Sequence, residues 1–66
     1  MAIINAVYTL EHNGEDFINR DKVRIGYKQG ESVQFVEGFL MLTANWVSVG
    51  DKYIKSKDIV SVERLV

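Results

Sequence analysis

The chain contains no cysteine, no proline, one histidine and one tryptophan in 66 residues. Without cysteine there is no disulfide to brace the fold and no thiolate to bind a metal or attack a substrate. The lone histidine leaves His12 as the single imidazole base for any of Thr9, Ser32, Thr43, Ser48, Ser56 or Ser61, and no glycine-rich loop of phosphate-cradling spacing is present. Long apolar runs are missing too. The longest, Gly38 to Leu42, falls far short of the ~20 residues of a membrane-spanning helix, and no basic segment followed by an apolar core opens the chain. A formal net charge of -1 provides no global field for nucleic acid or an acidic membrane, so any such affinity must come from local patterning. These absences lead us to expect a cytoplasmic, non-membrane protein that is not an enzyme and carries no cofactor.

What is present is enough apolar material to fold. Hydrophobic residues make up 47% and charged residues 26%, a globular composition rather than a disordered one. A single domain of this length buries only roughly 60% of the surface its unfolded chain exposes. With disulfides excluded and metal ligands scarce, self-association is the remaining way to gain stability.

Val, Ile, Tyr, Phe and Thr recur, and turn dipeptides fall at Asn13-Gly14, Gln29-Gly30 and Gly50-Asp51. Asn-Gly tolerates positive φ at both central positions of a hairpin turn, and Gly-Asp puts glycine first, as a type II′ turn needs. Ile3 to Glu11 can pair through the first turn with Asp16 to Ile18, with a single helical turn over Glu15 to Arg20 as the alternative. From Lys22 to Lys28, Val23, Ile25 and Tyr27 alternate with Lys22, Arg24 and Lys28, which predicts a strand with one inward and one basic face. From Ser32 to Thr43 the alternation fails. Val33, Phe35, Phe39 and Met41 share one parity while Val36, Leu40 and Leu42 occupy the other, so we expect a long, strongly bent strand with a bulge near Glu37-Gly38. Trp46 to Val49 and Lys52 to Lys55 flank Gly50-Asp51, which sets Val47 opposite Ile54 and Ser48 opposite Tyr53. Ser56 to Asp58 interrupts, and Ile59 to Glu63 makes a last strand. The expected fold is all-β, a small antiparallel barrel of about five to six strands.

Over Lys22 to Leu65 this arrangement resembles the small-barrel group that contains SH3-like and Sm-like domains. The likeness lies in Val23-Arg24-Ile25 leading to the turn at Gln29-Gly30, in Glu37-Gly38-Phe39-Leu40 on the bent strand, in the Trp46 to Ile54 hairpin, and in Lys57-Asp58-Ile59-Val60-Ser61-Val62, where a short turn feeds the last strand. The resemblance implies a fold and no partner class.

Four constellations bear on function. His12 with Glu11, Glu15 and Asp16 offers an imidazole and carboxylates, but the pattern is that of a solvated hairpin tip, and we expect no metal. Glu31, Glu37, Asp51, Asp58 and Glu63 show no convergence of the kind acid–base catalysis needs. Phe35, Val36, Phe39, Leu40, Met41, Leu42 and Trp46 exceed what one side of so small a barrel can bury unless a bulge tucks both sets into one core, so they are the candidate protein interface, toward a second copy or another protein. Lys22, Arg24 and Lys28, with Lys52, Lys55 and Lys57 near Tyr53 and Trp46, are the candidate nucleic-acid-binding set, because cations beside aromatic rings are the ingredients of single-strand recognition. The bland alternative is that these lysines only solvate the surface and that Trp46 and Tyr53 belong to the core. The leading expectation is a non-catalytic homo-oligomeric interaction module, a small regulator or inhibitor of the kind that phages and prophages encode; the alternative is a nucleic-acid-binding barrel.

Overall fold

Eight strands and one 3₁₀ turn order the computed structural model, which describes residues 2–4 and 8–65, Ile3 by its backbone alone. The strands are β1 (Ile3–Ile4), β2 (Leu10–His12), β3 (Glu15–Phe17), β4 (Lys22–Gln29), β5 (Ser32–Leu42), β6 (Trp46–Val49), β7 (Lys52–Lys55) and β8 (Ile59–Arg64), with the 3₁₀ turn Ser56–Asp58 before β8. The protein is all-β, as its β-branched and aromatic composition dictates. They form a three-stranded sheet, order β1-β2-β3, and a five-stranded sheet, order β7-β6-β5-β4-β8. Among the described residues β7 and β8 remain unpaired edges, so the barrel expected from the sequence is not closed by hydrogen bonds.

The hairpins follow their turn chemistry. Asn13 (φ +51°) and Gly14 (φ +80°) both take positive φ, and His12 faces Glu15 across them. A strand, not a helical turn, occupies 15–17, and β1 folds back on β2 with Ile4 opposite Leu10. The central part of the predicted first strand, residues 5–7, lies outside the described residues. Gly50 (φ +57°) opens the turn that places Val47 opposite Ile54 and Ser48 opposite Tyr53.

Strand β5 is the spine. Its register with β4 runs unbroken from Ser32 opposite Gln29 to Phe39 opposite Lys22, and β6 takes over at Leu40 opposite Val49. Beyond β4 the chain stays attached to β5: Arg20 donates to the Leu40 carbonyl at 2.7 Å, and Leu40 donates back to Asp21 at 2.8 Å. The bulge expected at Glu37-Gly38 is therefore absent. The irregularity falls instead between β4 and β8, at Gly26 and Tyr27. Gly38 has a different role: a Cβ there would stand 2.8 Å from the Gly50 backbone nitrogen, so only glycine lets the β6–β7 turn approach β5 so closely.

One core joins both sheets. Val23, Ile25 and Tyr27 of β4, Leu40 and Leu42 of β5, Val47 and Val49 of β6, Ile54 and Ile59 pack with Leu10 and Phe17 of the small sheet. His12 is also buried, with neither ring nitrogen hydrogen-bonded among the described residues. This corrects the solvated hairpin tip read from the sequence, because strand pairing with β3 turns the imidazole inward.

Candidate functional site

Pleating decides what faces solvent. Alternate β5 residues point to opposite sides, so Leu40 and Leu42 enter the core while Val33, Phe35, Phe39 and Met41 line the outer face. The four are large and apolar, and all are exposed; Phe35 is 63% and Phe39 64% accessible. The predicted interface set therefore divides. Phe35, Phe39, Met41 and Trp46 are surface residues, whereas Leu40 and Leu42 are buried and Val36 packs half-buried against the core. The tuck that would have hidden both sets does not occur. Val33, left out of the predicted set, belongs to the row, and its parity with Phe35, Phe39 and Met41 was the signal that could have found it.

Phe35 is not loose on this face. It lies opposite Gly26, where its ring edge and the Ser61 hydroxyl fill the space a Cβ would occupy, at 2.8 and 2.5 Å from that position. Between Phe35 and Phe39 stands a charged cluster. Arg24 donates through Nε to Glu37 Oε2 at 2.8 Å, its Nη2 lies 2.7 Å from the same oxygen, and its Nη1 reaches Glu63 Oε1 at 3.2 Å. The hydrogen bond to Glu37, followed by the charges of Glu37 and Glu63, holds the Arg24 guanidinium above its ordinary pKa. Arg64 pairs with Glu15 at 3.8 Å and Asp21 at 3.4 Å, and its guanidinium rests 4.7 Å from the Phe17 ring centroid.

The predicted basic set divides as well. All ion pairs among the described residues use Arg24 or Arg64, so the lysines have no carboxylate partner there. Lys22 stands at the start of β4 opposite Phe39, and Lys52 follows the Gly50-Asp51 turn. Lys28, Lys55 and Lys57 converge instead on an open recess of about 330 Å³ that Trp46 and Tyr53 also line, with Asp58 as its one carboxylate. The continuous stripe Lys22, Arg24, Lys28 is thus broken, because Arg24 is clamped and only Lys28 reaches the aromatic pair.

Trp46 and Tyr53 are 41% and 75% exposed, so they are surface residues and not part of the core. Lys55, opposite Trp46 on β7, places its ammonium 5.5 Å from the indole centroid, a cation–π contact. Trp46, Tyr53 and Thr43 bound a second recess of about 400 Å³ with an almost wholly apolar lining. Thr43 had no place in the sequence-based set; its hydroxyl donates to the Trp46 carbonyl at 3.3 Å and holds the β5–β6 turn.

No group of three or more His, Asp or Glu side chains is arranged to hold a metal among the described residues, and no helix there is long and apolar enough to cross a membrane. The chain matches no protein-family model, and neither a curated protein nor a solved structure matches it significantly.

Proposed function

We propose that the protein is a non-catalytic, cytoplasmic interaction module that assembles with copies of itself through the outer face of β5. The observation that carries this reading is the exposed row Val33, Phe35, Phe39 and Met41 on the longest strand, opposite a face whose own residues already complete the core. Exposed apolar side chains clustered in this way on a small protein mark an interaction site, here with the Arg24–Glu37–Glu63 cluster set between Phe35 and Phe39. A second copy is the occupant that the physics favours. The domain has no disulfide to widen its margin, and a two-fold contact would set the row, with its internal Arg24–Glu37–Glu63 cluster, against an identical one. The strand order, in which β8 returns to β4 after the short turn Ser56–Asp58, supports grouping the domain with SH3-like and Sm-like small barrels, as a member with open edges. A role as a small regulator or inhibitor is part of the same proposal and needs no reactive site.

Light scattering over a dilution series tests the proposal. The expected result is a mass above the 7.5 kDa monomer that persists at high salt, because apolar contacts are not screened. A monomer throughout, or an assembly that dissolves as salt rises, rejects it.

A further inference from the structure

The Trp46 corner is separate in chemistry from the β5 row, and we propose that it binds single-stranded nucleic acid through base stacking on Trp46 and Tyr53 with phosphate contacts from Lys28, Lys55 and Lys57. Three observations converge on it. First, the two exposed aromatics of the β6–β7 hairpin bound a carbon-lined recess of about 400 Å³, a wall that suits the face of a planar ring. Second, the adjoining recess of about 330 Å³ carries three lysines against the single carboxylate of Asp58. Third, the arginines that make ion pairs are engaged with carboxylates elsewhere, while these lysines have none among the described residues. Positive charge is therefore concentrated at the aromatic corner of a chain whose net charge is -1.

The ligand class follows from pairing these features. An acidic peptide would satisfy the lysines but leave the aromatic walls without a planar partner. Duplex DNA would satisfy the lysines but keep its base faces stacked inside the helix. A single strand presents both a phosphate line and unstacked rings. Lys55 sits over one face of the indole, so a base stacks on Trp46 by using the other face or by displacing that ammonium toward its own phosphate.

Trp46 is the only tryptophan, which makes its emission a direct reporter of stacking. The experiment titrates the full chain with an octathymidylate strand, the corresponding duplex, heparin and a polyglutamate peptide, each at low and high salt. Octathymidylate is expected to quench Trp46 more strongly than the other three. Its affinity should fall with salt along a log–log slope of about −2, the value for some three phosphates on a single strand. Tyr53→Ala should weaken binding at least about fivefold. Lys55→Ala/Lys57→Ala should weaken it and flatten the salt slope. All three positions are exposed, so folding is preserved, and circular dichroism checks this. Absence of quenching at low salt, equal quenching by heparin, or tighter binding of polyglutamate overturns the inference. None of these outcomes bears on self-association, since Phe35 and Phe39 do not line the recess.

Discussion

The two faces of the five-stranded sheet are built from the same kinds of residue and meet opposite fates. On β5, Leu40 and Leu42 vanish into the core while Phe39 and Met41, their immediate neighbours in the chain, stand in solvent. The inner face maintains the fold, since it meets the small sheet and closes one cluster from Leu10 to Ile59. The outer face contributes little to the core, and its fastenings lie at the surface: the Arg24–Glu37–Glu63 cluster and the Phe35 ring laid over Gly26. Apolar content therefore does not report burial here; parity on the pleat does.

Substitutions on the two faces should separate these roles. The largest effect is expected from Leu40→Ala, which removes a fully buried side chain at the junction of β4, β5 and β6 and should cost about 3 kcal/mol in urea unfolding. For a domain this small that is a large part of its total stability. Gly38→Ala comes next, at about 2 kcal/mol, because its Cβ meets Gly50 backbone rather than a yielding side chain. His12→Leu should act in the other direction. Replacing a buried imidazole without hydrogen-bond partners among the described residues is expected to raise stability by about 1 kcal/mol, read from the same urea midpoints. Phe39→Ser should change the unfolding free energy by less than about 0.5 kcal/mol when measured on dilute, unassociated protein, while lowering the tendency to associate. A Phe39 effect as large as that of Leu40 would erase the distinction between the faces. The smallest effect is expected at Arg24→Gln, an exposed ion-pair residue. Its raised pKa contributes stability that is present below the unfolded-state value and lost only as pH rises through the folded one. Both lie above neutral pH by so much that wild type and variant should show parallel stability–pH profiles near neutrality.

How far the sequence could be read depended on where the determining interactions lie. The turns at Asn13-Gly14 and Gly50-Asp51 were legible, the second with its register, because turn geometry is local and positive φ selects for Asn and Gly, whereas a helical turn over Glu15 to Arg20 stayed open beside the first. The parity split of β5 was also visible. Its meaning was not, since whether a bulge pulls both sets inward depends on the pairing of Glu37 with Arg24 and Gly38 with Val23, on the neighbouring strand β4. Burial of His12 escaped for the same reason: the polar residues around it describe a surface tip, and only its pairing with β3 turns it inward. At the candidate sites the residue types were legible and their grouping was not. Lys28 and Lys55 are far apart in sequence, and the fold brings them to one recess while Glu37 and Glu63 remove Arg24 from the basic set.

The central claim, that the outer face of β5 is an interface between copies, is tested most directly by sedimentation equilibrium of the wild-type chain beside Phe35→Ser/Phe39→Ser at high salt, with circular dichroism to verify that both are folded. The expected result is a wild type heavier than 7.5 kDa that dissociates on dilution and a folded double variant that is monomeric at every concentration. Equal masses for the two proteins would contradict it.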